Sequence, residues 1–256
     1  MEYIKPDVPH IGEYHLVVDP FDVDFSGHLT LAMLGNHLLN CAGFHADARG
    51  FGMTRLNEDD CTWVLSRIAL EFDDLPMEYQ HFTVNTWVEA VVRLFTARNF
   101  EIKNQLGNTI GYARTMWAMI NRQTRKPVDL LSINEGHLVD WITENKECPI
   151  DGPSRIKVTS NSPVDIIDIK FCDIDINGHL NSMRYIEHIL NLFSLDFFRT
   201  HRIKRFEIAY ITECLFSDRI AFFMDDDGQG TYQIEMRKED SGEIVCRSKI
   251  IVKSEE

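Results

Sequence analysis

A chain of 256 residues suffices for one large domain or two small ones around sizeable cores, which excludes a disulfide-stapled miniprotein. Hydrophobic residues at 44%, charged residues at 26% and only 14 Gly and 8 Pro exclude disordered and fibrous chains. The formal net charge of −14 argues against a general nucleic-acid surface, because phosphate binding needs clustered positive charge.

No stretch reaches the ~20 uninterrupted apolar residues of a membrane span. The start, MEYIKPDVPHIGEYH, lacks the basic-then-apolar order of a signal peptide, so cytoplasmic residence is expected. The six cysteines, Cys41, Cys61, Cys148, Cys172, Cys214 and Cys246, include no CxxC pair. They are expected to be buried free thiols, with neither a disulfide nor a structural metal.

In chain order, the first distinctive segment is Asp22-Val-Asp-Phe-Ser-Gly-His-Leu29. Behind it, Leu31, Leu34, Leu38 and Ala42 recur at helical spacing and predict a helix from Leu29 to about Arg49. Runs rich in β-formers follow at Thr62 to Phe72, Phe82 to Val92, Phe95 to Lys103 and Thr109 to Asn121, separated by turns such as Leu106-Gly107-Asn108. Asn134 to Thr143 reads as a short helix with Leu138 and Trp141 inward. Pro149, Gly152, Pro153 and Pro163 mark a join, with the boundary expected within ten residues of position 150.

The first motif then returns 151 residues later as Asp173-Ile-Asp-Ile-Asn-Gly-His-Leu180, with five of eight positions identical. Such self-similarity points to duplication. A second helix is predicted from Met183, Ile186, Leu190, Phe193 and Phe197. Strands are predicted at Phe206 to Leu215, Arg219 to Met224, Thr231 to Arg237 and Ile244 to Val252. Each half, 1–150 and 151–256, thus reads as an α+β unit: a strand, a helix buried on most sides, and an antiparallel meander wrapped around it.

Asp175-Ile-Asn177-Gly-His179-Leu-Asn181, the helix behind it, and Glu213-Cys214, with Glu213 38 residues after Asp175, resemble the acyl-acyl carrier protein thioesterases of plants and bacteria. That family's motif runs Asp-x-Asn-x-His-Val-Asn-Asn, with a Glu-Cys pair about forty residues on. Leu180 stands in place of Val, and Ser182 in place of the second Asn. The resemblance extends through the repeat to nearly the whole chain. It implies two tandem hotdog folds, release of free fatty acid from acyl carrier protein in fatty acid biosynthesis, and no cofactor. It also implies a catalytic group of Asp175, Asn177, His179 and Glu213.

Thioester hydrolysis needs a positioned nucleophile, a base, and donors for the developing oxyanion. His179 and Leu180 are expected to open the second helix and offer its unpaired N–H groups to that oxyanion. Glu213 or Asp175 is read as base or direct nucleophile, Asn177 as orienting water or carbonyl, and His179 as polarising the site or relaying a proton. Taken singly, each residue also has a structural reading as a cap, a core histidine or a surface carboxylate. Cys214 is a rival nucleophile, but on a regular strand only one of Glu213 and Cys214 faces the site, and the resemblance favours the carboxylate.

In the first repeat Asp24 and His28 persist, but Ser26 replaces Asn177 and alignment by eye sets Pro76 near the position of Glu213. The first half is therefore read as a structural relic that helps to form the acyl pocket, with Leu34, Leu38, Trp63, Leu65 and Trp87 as lining candidates alongside their reading as ordinary core. An acidic carrier would need a local basic patch. Arg199, Arg202, Lys204 and Arg205, with Arg184 one turn into the second helix, are the candidates, the competing reading being a solvated turn. Rival functions are an acyl-CoA thioesterase, a hotdog hydratase and a non-catalytic acyl-thioester sensor. A homodimer is also compatible with the sequence.

Overall fold

The computed structural model describes residues 4–254. It divides into two compact units, one holding the chain up to residue 66 together with 72–152, the other holding 67–71 together with the chain from residue 153.

The first unit carries β1 (Gly12–Val17), α1 (Leu31–Asp47), α2 (Met53–Glu58), β2 (Cys61–Phe72), β3 (His81–Val91), β4 (Phe95–Asn104) and β5 (Thr109–Asn121). Its sheet runs β1-β3-β4-β5-β2. The pairs β1–β3, β3–β4 and β4–β5 are antiparallel, with Trp87 opposite Asn99. Strands β2 to β5 begin and end within one residue of the expected positions, because alternating β-branched and aromatic residues end at clear turn residues. The β4–β5 turn pivots on Gly107 at φ +82°, while Asn104 Oδ1 accepts from the N–H groups of Leu106 and Asn108.

Helix α1 starts two residues later than expected, behind Thr30, whose hydroxyl accepts from Met33 N at 3.2 Å. It is buried along one face, through Leu31, Leu34, Leu38, Cys41, Ala42 and His45, and Phe44 is 64% exposed. The expectation of burial on most sides is corrected accordingly. Leu34 and Leu38 are fully enclosed, each worth about 1.5–3 kcal/mol of transfer free energy. The segment Leu130–Trp141 is a pair of 3-10 turns broken at Asn134, Glu135 and Gly136, which adopt left-handed backbone. It delivers Leu138 and Trp141 into a core cluster with Phe51, Leu56, Cys61 and Met119.

The second unit contains β6 (Asp165–Asp168), a 3-10 turn (Phe171–Asp173), α3 (Ser182–Leu190), α4 (Leu195–Thr200), β7 (His201–Tyr210), β8 (Arg219–Asp226), β9 (Thr231–Lys238) and β10 (Ile244–Ser254). Its sheet runs β7-β10-β9-β8-β6, every pair antiparallel. Arg67–Glu71 of β2 pairs with β7.

Two expectations fail here. The second helix ends at Leu190, and Ser194 caps a separate turn by accepting from Phe197 N at 3.2 Å. Ser194 offers the backbone a capping alternative to continued helix, and Phe193 and Phe197 pack against Tyr232 instead. Helix α3 therefore buries only Met183, Tyr185, Ile186 and Ile189. The strand expected from Phe206 begins five residues earlier, at His201. Its basic residues masked it, and Arg205 is buried there between Glu207 at 2.7 Å and Glu71 at 2.8 Å.

None of the six cysteines forms a disulfide. Cys41, Cys61, Cys214 and Cys246 are buried, whereas Cys148 is half-buried and Cys172 exposed, which corrects the expectation for those two. Among the described residues, no helix is long and apolar enough to cross a membrane.

Candidate active site

The second motif folds into a closed loop organised by one carboxylate. Asp175 Oδ1 accepts from Asn177 N at 2.8 Å and from His179 N at 3.3 Å, while Asp175 Oδ2 lies 3.4 Å from Asn177 Nδ2. An acid two residues before the turn is the side chain that makes such local bonds. The loop closes where Asp175 N donates to His179 O at 2.8 Å, and Gly178 at φ +81° supplies the left-handed step. Asn177 is exposed and His179 half-buried.

A second loop, after β7, meets the first. His179 bridges to Leu215, and Leu180 N donates to Cys214 O at 2.9 Å. Glu213 thereby lies with Oε2 3.3 Å from His179 Nε2, the side chains being 45% and 27% exposed. A carboxylate only accepts, so in a neutral His179 bonded to Glu213 the proton sits on Nε2 and the lone pair on Nδ1.

The structure corrects three details of the sequence reading. His179 and Leu180 do not open the helix: their N–H groups are engaged by Asp175 and Cys214, and Asn181 caps α3 by accepting from Met183 N at 2.8 Å. Glu213 and Cys214 lie in a loop, not on a strand, yet still face different surroundings, since Cys214 is fully buried. Burial pushes its thiol up to about 11, so it is protonated at neutral pH and a poor nucleophile. In the first repeat, Leu29 N donates to Pro76 O at 2.9 Å as Leu180 does to Cys214, so Pro76 matches Cys214 and Leu75 matches Glu213.

The first-repeat loop is otherwise a close copy. Asp24 Oδ1 accepts from Ser26 N at 2.8 Å and Ser26 Oγ at 2.6 Å, and Gly27 has φ +79°. His28 Nδ1 lies 2.9 Å from Ser26 Oγ. Among the described residues, a carboxylate comes no closer to its Nε2 than the 3.8 Å of the exposed Asp74.

One pair escaped the sequence reading. Asp173 is 4% exposed. Its Oδ1 lies 3.0 Å from His188 Nε2 on α3, and its carbonyl accepts from Asn181 N at 2.8 Å, tying the loop to the helix. Asp22 and His37 repeat this at 3.6 Å. The signal was present in the sequence, since both members recur at the same 151-residue interval.

Of the lining candidates, Leu34, Leu38, Leu65 and Trp87 are buried core. Only Trp63 borders the cavity of about 240 Å³ inside the first unit, which is lined also by Leu39, Phe51, Val88, Trp117 and Trp141. Of the basic candidates, Arg205 is interior, which removes it from any docking surface. Arg184 pairs with Glu187 and Arg199 with Asp196. Arg202 and Lys204 are half-buried at the start of β7, roughly 20–25 Å of strand from the end that leads to Glu213.

A family model described as the acyl-ACP thioesterase N-terminal domain matches residues 12–133, and its C-terminal counterpart matches 156–254. The structure of an acyl-ACP thioesterase from Bacteroides thetaiotaomicron is 55% identical, covering 95% of this chain and 98% of that one at a TM-score of 0.90. A 12:0-ACP thioesterase from Umbellularia californica superposes at a TM-score of 0.82 over 97% of this chain and 99% of its own, with 18% identity, a likeness of fold. A palmitoyl-acyl carrier protein thioesterase of Cuphea hookeriana is 27% identical over 82% of this chain and 52% of its own length. The chain spans about half the length of the curated plant relatives it matches. Both halves are hotdog folds, as in the structures they match.

Proposed function

Because the chain belongs to the acyl-ACP thioesterase family, we propose that it hydrolyses the thioester of fatty acyl-acyl carrier protein, releasing free fatty acid and the carrier thiol in fatty acid biosynthesis. The observation that carries this reading is the 3.3 Å approach of Glu213 to His179 above a loop organised by Asp175. His179 Nδ1 takes a proton from water as the water oxygen bonds to the thioester carbonyl carbon. Glu213 stabilises the resulting imidazolium. The Asn177 amide, exposed at the turn, orients the carbonyl or the water. Collapse of the tetrahedral oxyanion breaks the C–S bond, and the imidazolium returns its proton to the leaving thiolate. Asp175 acts as loop organiser, since its oxygens already face the Asn177 and His179 groups.

This reading makes residues 151–256 the catalytic half and 1–150 the half that receives the acyl chain, for which the apolar cavity of the first unit gives the support. Docking of the acidic carrier is proposed at Arg199, Arg202 and Lys204, acting through the arm that bears the acyl group rather than by contact at the reacting carbon. The reaction is assigned no cofactor, and full turnover after exhaustive chelation is expected. The curated plant relatives are named chloroplastic; the cytoplasmic assignment here is a proposal checked by fractionation, and a homodimer is checked by sedimentation. The deciding experiment follows thiol release from acyl-carrier and acyl-CoA thioesters of graded length. Turnover with a higher kcat/KM for the carrier substrates supports the reading, equal or better CoA turnover favours an acyl-CoA thioesterase, and binding without release favours a sensor.

A further inference from the structure

The loop that carries Asp175, Asn177 and His179 is a small hairpin. Asp175 N donates to His179 O at 2.8 Å, Ile174 bridges Leu180, and at the base Asn181 N donates to Asp173 O at 2.8 Å. Two side chains at that base hold the hairpin on α3. Asn181 caps the first turn, accepting from Met183 N at 2.8 Å. Asp173, 4% exposed, uses both of its oxygens: Oδ2 accepts from Lys170 N at 2.8 Å, which closes the 3-10 turn before the hairpin, and Oδ1 accepts from His188 Nε2 at 3.0 Å. His188 follows Asn181 by seven residues, nearly two turns, so it lies on the same face of α3 about 10 Å further along the axis. An anchor at one point leaves a hairpin free to tilt, and a second point 10 Å away fixes the tilt. Because Asp173 is buried, losing the His188 donor leaves a carboxylate oxygen with neither protein nor bulk water to satisfy it.

The first unit keeps the hairpin and loosens this anchor. Thr30 N donates to Asp22 O at 2.9 Å, but Asp22 Oδ2 lies 3.6 Å from His37 Nε2, which has no hydrogen-bond partner among the described residues. The closed bond thus accompanies the copy whose histidine meets Glu213. We infer that Asp173 and His188 are positioning residues: by fixing the tilt of the hairpin on α3 they hold His179 Nε2 against Glu213. Backbone contacts at Leu180 and Leu215 join the hairpin to the Glu213 loop along one edge, which leaves the tilt about that edge to be set from α3. Supporting side chains locked in this way are what keep a reacting constellation within a fraction of an ångström of its working geometry. The consequence for turnover rests on the proposed hydrolysis, in which the pair acts through His179 and touches no reacting atom. A misplacement on the order of 1 Å costs up to about 100-fold in rate.

The test compares three variants of the full chain by thiol-release kinetics and by nitrogen NMR of the His179 ring, its signals identified by their loss in His179→Gln. His188→Met removes the donor to Asp173. His188→Asn stays polar but is too short to reach it, which keeps the test open should His188→Met fail to fold. His188→Gln restores an N–H at that distance. Met and Asn are expected to lower kcat roughly 10- to 100-fold with KM within about twofold, and to draw the protonated and unprotonated ring signals of neutral His179 together as the Glu213 contact is lost. Gln is expected to keep kcat within about threefold and the wild-type spectrum, and so is His37→Met in the first unit. A wild-type kcat or an unshifted His179 spectrum in folded His188→Met or His188→Asn overturns the inference. An equal loss in His188→Gln or in His37→Met overturns it too, since volume or general destabilisation would then account for the effect. A wild-type chain that hydrolyses no thioester refutes the proposed function, and the His179 spectra still decide whether Asp173 and His188 position the ring.

Discussion

Glu213→Gln isolates what a single charge contributes. Glutamine keeps an oxygen that accepts from His179 Nε2, so the ring stays oriented while the negative charge disappears. At 3.3 Å a full charge pair is worth about 1.3 kcal/mol in bulk water and about 5 kcal/mol at an effective dielectric of about 20. The side chains are 45% and 27% exposed, which places the value toward the aqueous end, at about 2 kcal/mol. If that stabilisation applies to the imidazolium formed in the transition state, kcat falls roughly 30-fold. Glu213→Ala also releases the ring, and the loss grows to about 10²–10⁴-fold, the range of a general base. An exposed pair contributes at most about 1 kcal/mol to folding, so the melting temperature stays within a few degrees. The assay is steady-state thiol release from one acyl thioester, paired with thermal unfolding of each variant. A Glu213→Gln enzyme within threefold of wild-type kcat, or one whose loss tracks a collapse in melting temperature, refutes the assignment.

Cys214→Ser is expected to retain kcat within about tenfold, because the buried thiol is protonated; loss of activity there with Glu213→Ala still active would reverse the choice between them. Ser26→Ala and His28→Ala are expected to alter melting temperature rather than turnover, and a kcat collapse in a normally folded variant would show that the first loop takes part in chemistry. Charge reversal of Arg202 and Lys204 to Glu is expected to raise KM for the acyl-carrier substrate at least fivefold more than KM for a small acyl thioester, and equal changes would move the docking surface elsewhere. Acid unfolding should report Glu101: burial opposes its charge, but hydrogen bonds from Lys146, Thr109 and Asn85 hold its pKa at about 2 against 4.5 in the open chain. The folded state therefore binds fewer protons, and the contribution, present above pH 4.5, fades as pH falls through about 2. It is worth about 1–2 kcal/mol after solvent screening, and Glu101→Gln should flatten denaturant midpoints across that window if the assignment holds.

The sequence by itself determined the duplication, the four strands of the first meander and the residues of the second loop. These features are local: turn glycines, an Asp that bonds its own backbone two and four residues on, and strand periodicity all act within a few residues. Tertiary structure decided what depended on partners distant in the chain. The strand at His201–Tyr210 looked like a charged turn until Glu207 and Glu71 neutralised Arg205, since nothing within the segment shows that a buried arginine will find a carboxylate 134 residues away. Glu213 reaches His179 only because the loop after β7 is bridged to it through Leu215 and Cys214. The helix behind the site stopped at Leu190 because Phe193 and Phe197 found Tyr232 on β9. The cavity in the first unit is likewise legible only in three dimensions: Leu39 and Trp63 border it while Leu38 and Leu65 do not. Hydrophobicity marks a side chain as interior, and packing alone decides whether that interior is filled.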